Sequence, residues 1–193
     1  MYFEEYRGLL NRKRVSNMGY GNRGMAFEHL LNITCRMYKT ANVGIFNKRP
    51  TPVKVIKTNN KGEITKSAWE SKSTVDYDGV YKGRAVYFEA KSTKETKRFP
   101  LDSISRHQID YLNDTQAQGA ICFFLIEFRT DHIIYFVPVN LVVKYYEAML
   151  YEGGRKSIPR EEFEKHAYVV ERTDRALVDY LVHVDKLEWS VCS

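Results

Sequence analysis

The stretch DYDGVYKGRAVYFEAK, residues 76–91, decides how the chain reads. Lys82-Gly83 separates two alternating runs, and glycine supplies the positive φ that a two-residue hairpin turn needs. Such a turn sets Tyr81 opposite Arg84, Asp76 opposite Glu89 and Thr74 opposite Lys91. Side chains alternate along a strand, so Thr74, Asp76, Asp78, Glu89 and Lys91 share one face. Val75, Tyr77, Val86, Phe88 and Ala90 form the other, a coherent buried side. The polar face of a hairpin is ordinarily solvated. Opposed like charges, however, destabilise a ladder by up to about 1 kcal/mol, and a hard divalent cation between Asp76 and Glu89 reverses that sign. Carboxylates and a Thr hydroxyl are oxygen donors, which suit Mg²⁺ or Mn²⁺ rather than zinc. Lys91 lies on the same face, placed to stabilise charge developing on a phosphate or to orient an attacking water. The pattern Asp-x(12)-Glu-x-Lys is therefore a design for phosphodiester hydrolysis. By parity Asp78 also points to this face, where it binds a second ion or is solvated; solvation is the preferred reading.

Upstream, Val53 to Trp69 alternates on both sides of NNKG, a strong turn signal, and is too polar for a core strand pair. It reads as a hairpin projecting from the domain. Residues 47–72 carry seven basic residues (Lys48, Arg49, Lys54, Lys57, Lys61, Lys66, Lys72) against Glu63 and Glu70. The N-terminal segment adds Arg7, Arg12, Lys13, Arg14 and Arg23, and residues 1–20 read as a flexible basic arm. Two basic segments flanking a helix, in a chain of net charge +6, favour a nucleic acid over a merely solvated surface.

Asn22 is placed to cap a helix running to about residue 40, followed by a short strand VGIF. Downstream, STKETKRFP reads as a loop, and LDSISRHQIDYLNDTQAQG as a helix capped by Asp102 and stopped at Gly119. AICFFLIEF and HIIYFVPV are apolar strands, the first continuous enough to be central. A helix over about 139–151 ends at Gly153-Gly154. The last forty residues carry the weakest pattern. The order of elements predicts a mixed β-sheet with helices on its faces, residues 21–193 forming one domain.

The 193 residues are 44% hydrophobic and 28% charged, ordinary for a folded domain. Cys35, Cys122 and Cys192 are far apart and show neither a disulfide framework nor zinc-ligand spacing, which suits a reducing compartment. The longest apolar run is too short to span a bilayer, and the first residues lack the apolar core of a signal peptide. A cytoplasmic protein without membrane contact is expected.

These residues resemble the PD-(D/E)xK nuclease superfamily, and more closely the RecU family of Holliday junction resolvases from Gram-positive bacteria and their phages. The matching stretches are NRGM with Glu28, KRPTPV, STVDYDGVYKG, FEAK, FPL, HQI and GGRKSIP, in the family's order over roughly residues 21–160. The resemblance implies a restriction-endonuclease-like α/β fold and Mg²⁺ (Mn²⁺ substituting) held by Thr74, Asp76, Glu89 and Gln108. It makes Lys91 the transition-state stabiliser. It further implies a homodimer that nicks opposed strands of a four-way DNA junction, leaving 5′-phosphate and 3′-hydroxyl ends. The basic hairpin matches the family's stalk, carrying Lys48, Arg49, Lys54, Lys57, Lys61 and Lys66 to the junction centre, and Arg23 matches an arginine implicated in junction binding. A recombinase or branch-migration protein is a candidate further partner. STVDYDG in place of the more usual TTDYNG, and a short N-terminal arm, suit a phage-encoded or divergent member. The alternatives are a nuclease acting on other DNA structures, a non-catalytic junction-binding or recombinase-modulating module, and an RNA-binding domain. The intact Asp76–Glu89–Lys91 set argues against the module, and the lack of an RNP or KH signature against RNA.

Overall fold

The apolar runs meet in one sheet, with helices on both faces. The computed structural model describes residues 25–69, 74–151 and 153–191; the basic arm over residues 1–20 and the Asn22 cap lie outside them. The elements in order are α1 (Met25–Thr40), β1 (Ile45–Lys48), β2 (Val53–Thr58), β3 (Ile64–Trp69), β4 (Tyr77–Tyr81) and β5 (Arg84–Thr93). Then come β6 (Arg98–Pro100), a 3₁₀ turn (Leu101–Ser103), α2 (Arg106–Ala117), β7 (Ile121–Phe128), β8 (Ile133–Pro138) and α3 (Val139–Leu150). The chain ends through β9 (Ser157–Pro159), α4 (Arg160–His166), β10 (Tyr168–Val169) and α5 (Leu181–Val191).

The six-stranded sheet has the order β1-β4-β5-β7-β8-β10. Among the described strands only β5 and β7 run parallel, Glu89 beside Phe124 and Lys91 beside Ile126; the crossover such a pair requires contains α2. All eight residues of β7 are buried, because both faces of the sheet are covered. Phe123 and Leu125 join a core with Phe27, Leu31 and Tyr38 of α1 and Leu181 and Val184 of α5. Phe124 and Ile126 join the opposite core with Ile109 and Leu112 of α2, Val142 of α3 and Phe163 of α4. Across the first face the rings of Tyr77, Phe88, Phe123 and Phe136 stack strand to strand, with centroids 4.7, 5.0 and 4.4 Å apart. Such cross-strand aromatic pairs fix register as well as burying area.

The turn at Lys82-Gly83 has the expected form, with both residues at positive φ (47° and 78°), and the register runs from Tyr81–Arg84 to Tyr77–Phe88. Gly79 lies inside this hairpin opposite Phe46 of β1. A Cβ there would lie 2.3 Å from the Ile45 carbonyl oxygen and 2.5 Å from the Phe46 ring. Gly79→Ala is expected to push β1 off β4 and lower stability by about 1–3 kcal/mol, read by chemical denaturation; an unchanged midpoint would show that the edge strand yields freely.

The β2–β3 hairpin forms its own two-stranded sheet, and every residue of β2 is exposed. Its turn is tied by Asn59, whose Oδ1 accepts the main-chain N–H groups of Lys61 and Glu63, and Gly62 takes φ +81°. Lys57 and Lys66 face each other across it.

Three expectations are corrected. Asp102 belongs to the 3₁₀ turn, and α2 starts later, behind Ser105, whose side chain and that of Gln108 form a capping box. Part of the expected loop 92–100 is strand: Thr93 closes β5, and β6 pairs with β9, Phe99 opposite Ile158. Val75 packs not beside Tyr77 but in the opposite core with Phe124 and Ile126, because the β4–β5 ladder ends at Tyr77–Phe88 and strand alternation ends with it. Among the described residues no helix is long and apolar enough to cross a membrane.

Candidate active site

The site forms where β4 peels away from β5. At Asp76 the main-chain N–H no longer meets a ladder carbonyl but donates to Glu89 Oε2 at 3.0 Å. In return, Ala90 N–H donates to Asp76 Oδ2 at 3.2 Å. The two carboxylates expected to face each other are thus brought together, each pinned by the other strand's backbone. Lys91 Nζ lies 2.8 Å from Glu89 Oε1. Gln108, in the first turn of α2, donates from Nε2 to the same oxygen at 2.6 Å. Its own oxygen accepts Ser105 N–H at 3.1 Å. That bond fixes the orientation of the amide, since the reversed amide would set donor against donor at Ser105 and acceptor against acceptor at Glu89.

Glu89 is fully buried. Burial first, and then the charge of Asp76, push its carboxyl up to about 7; the ammonium of Lys91 opposes the rise. A carboxylate removed from water beside a second carboxylate, with one lysine as partner, is short of positive charge. Among the described residues no three His, Cys, Asp or Glu side chains converge, so the donors here are two carboxylates together with neutral oxygens.

Thr74 stands at the return end of the projecting hairpin, and its Oγ1 accepts a hydrogen bond from Arg49 Nη1. Arg49 Nε donates to Asp78 Oδ2 at 2.8 Å. Asp78 is therefore the partner of an arginine, which neither a second-ion reading nor a solvated one anticipated. Arg49 itself, expected among the DNA-contacting groups of the hairpin, folds back onto the site. Lys48 Nζ pairs with Glu28 Oε1 of α1 at 2.6 Å. Lys54, Lys57, Lys61 and Lys66 are all exposed on the hairpin, while Arg23 lies outside the described residues. Sequence reasoning missed Tyr87 and Tyr111, which flank the Arg49 guanidinium at 5.7 Å each. Their only linear signal was the outward parity of Tyr87, opposite Asp78.

The family model described as Recombination protein U matches residues 22–186. A Holliday junction resolvase RecU of Geobacillus sp. is 34% identical over 175 residues, spanning 89% of this chain and 87% of the relative. The protein of the same name from Geobacillus kaustophilus is 34% identical over 189 residues, 95% of this chain and 94% of the relative. That from Lactococcus lactis is 35% identical over 180 residues, 91% and 83%. The matched span contains Thr74, Asp76, Glu89, Lys91 and Gln108 and both faces of the sheet that holds them. On that coverage the chain belongs to the RecU family.

Proposed function

We propose that the protein is a divalent-cation-dependent endonuclease that resolves four-way (Holliday) DNA junctions in recombination and repair. It acts in the cytoplasm as a symmetric homodimer that makes paired nicks. The observation that carries this reading is the reciprocal pinning of Asp76 and Glu89, with Lys91 on Glu89. The substrate is supported by relatives named Holliday junction resolvase.

The residues fit a hard cation: two adjacent carboxylates share a single lysine, and every donor is oxygen. Asp76 and Glu89 would hold Mg²⁺ or Mn²⁺, which when bound would polarise the phosphoryl group and acidify a water. Around them, Gln108 Nε2 keeps Glu89 Oε1 oriented, and Lys91 supplies a fixed positive charge for the developing phosphorane. The oxygens of Thr74 and Gln108 already accept hydrogen bonds from Arg49 and Ser105, so any contribution they make to the cation is added to those bonds. Two copies related by a two-fold axis give two equivalent sites for two opposed strands.

The opposed Lys57 and Lys66 suit a hairpin that meets a polyanion, since like charges across a ladder are unfavourable without one. Neutralising Lys54, Lys57 and Lys61 to Gln is expected to lower the slope of log K against log salt by about 2–3; an unchanged slope would remove the hairpin from the DNA. The reading as a whole is tested with a synthetic four-way junction and a matched linear duplex, each with Mg²⁺ and with Ca²⁺. Nicks near the crossover, made with Mg²⁺ and not with Ca²⁺, are expected; equal cutting of the duplex would contradict junction resolution.

A further inference from the structure

Arg49 precedes the β2–β3 hairpin in the chain and Thr74 follows it, and the two residues meet beside the acidic site as the hairpin's neck. One side chain closes that neck. The main-chain N–H of Arg49 donates to the Asp76 carbonyl at 2.7 Å. Its Nη1 donates to Thr74 Oγ1, ahead of β4, and its Nε donates to Asp78 Oδ2 on β4. Cζ lies 5.7 Å from both the Tyr87 ring on β5 and the Tyr111 ring on α2. Those two rings meet edge to face, with centroids 5.4 Å apart.

The elements the guanidinium joins are the ones that furnish the site. β4 follows Asp76, β5 carries Glu89 and Lys91, and α2 carries Gln108 one turn before Tyr111. An arginine used only to attract phosphate extends into water and moves freely. This one is 31% exposed and is held by acceptors on two sides, with two aromatic rings beside it. A lysine, a point charge without a directional fork, cannot make the Thr74 and Asp78 contacts together in this geometry.

We propose that Arg49 is a positioning residue: its guanidinium clasps the neck of the projecting hairpin and holds the Thr74–Asp76 segment in place against Glu89 and Lys91. The inference rests on the nuclease reading and deepens it, because one side chain then sets both how the hairpin leaves the domain and how the acidic site is arranged. Asp78 anchors the clasp.

The test uses the full chain carrying Arg49→Lys, Asp78→Ala, the double substitution and Asp78→Asn, each first checked for a cooperative melt. Arg49→Lys and Asp78→Ala are each expected to slow single-turnover nicking at saturating protein by about 10- to 100-fold. The double variant is expected to be no slower than the slower single, because both remove the same clasp. Junction affinity in Ca²⁺ stays within about twofold of wild type. Asp78→Asn, which keeps an acceptor for Nε, retains most of the rate. Hydrogen exchange without DNA or cation is expected to quicken at the amides of residues 75–77 in Arg49→Lys and Asp78→Ala.

A wild-type cleavage rate in the Arg49→Lys complex, with affinity lost instead, would make Arg49 a plain DNA contact and overturn the proposal. Additive losses in the double variant would overturn it as well. The exchange measurement needs no substrate. If the wild-type protein cuts no branched DNA, the nuclease reading fails alone, whereas unchanged exchange in both variants sinks the clasp itself. If Asp78→Ala does not fold, the charge-conserving Arg49→Lys carries both measurements.

Discussion

Lys91→Ala is expected to slow junction cleavage by about 10²–10³-fold, with junction affinity in Ca²⁺ unchanged within about twofold. Lys91 is the only cation the structure places on the acidic pair among the described residues, 2.8 Å from Glu89 Oε1 and 21% exposed. A charge so placed acts on what develops at the reacting phosphate rather than on the general approach of DNA, so its removal falls on turnover. The exposed hairpin lysines should behave the opposite way, lowering affinity while the bound complex still cuts. Asp76→Ala should match Lys91→Ala in outcome: cleavage lost, binding kept. If Lys91→Ala instead weakened binding and left the rate of the bound complex intact, Lys91 would be a phosphate tether and its catalytic assignment would fail.

Glu89→Gln is expected to abolish cleavage and yet stabilise the cation-free protein at pH 8. Burial, and then the charge of Asp76, raise the Glu89 carboxyl in the folded state from the ordinary 4.5 to about 7. Below pH 4.5 the carboxyl is protonated in both folded and unfolded chains, and well above 7 it is ionised in both. Between those values the folded state keeps a proton that the unfolded state has released, so stability falls as pH rises through that window. Gln cannot ionise and escapes the fall. In EDTA the variant should exceed wild type by about 1–3 kcal/mol at pH 8, and the gap should close toward pH 4.5. Asp131, Asp179 and Asp185, whose carboxyls are held low by arginine or lysine partners against the cost of burial, contribute equally to both proteins and cancel. Adding Mg²⁺ at pH 8 should raise the melting temperature of wild type and not of the variant. A wild type more stable than the variant at pH 8 in EDTA would mean that the Lys91 and Gln108 contacts outweigh the burial of charge.

Much of this was legible in residues 76–91. The Lys82-Gly83 turn and the alternation of Tyr77, Val86 and Phe88 fixed the register, because a hairpin is a local structure with one buried face. The uninterrupted apolar run of β7 announced a strand covered on both sides, and NNKG announced the outlying hairpin. Regular alternation misled at Val75, where the Asp76 N–H leaves the ladder for the Glu89 carboxylate, a side-chain event that strand parity cannot register. The start of α2 was ambiguous because Asp102 and Ser105 are both capping residues; the Ser105-x-x-Gln108 spacing of a capping box was the better guide. The C-terminal region resisted for a different reason. Tyr180 is buried among Tyr38, Phe46, Phe88 and Phe123, and Asp179 gathers Tyr38, Thr173 and Arg175. These are long-range contacts without a local period. The role of Arg49 was hidden likewise, since it exists only where β4, β5 and α2 converge.

The central claim is that Asp76, Glu89 and Lys91 cut DNA, twice and symmetrically, at a four-way junction. A supercoiled plasmid bearing an extruded cruciform tests it most directly, with the protein in excess and Mg²⁺ added to start the reaction. Two opposed nicks within the life of one complex release linear plasmid with 5′-phosphate and 3′-hydroxyl ends, and that product is predicted for wild type and not for Asp76→Ala. Accumulation of nicked circles alone, or linear product undiminished in Asp76→Ala, would contradict the account.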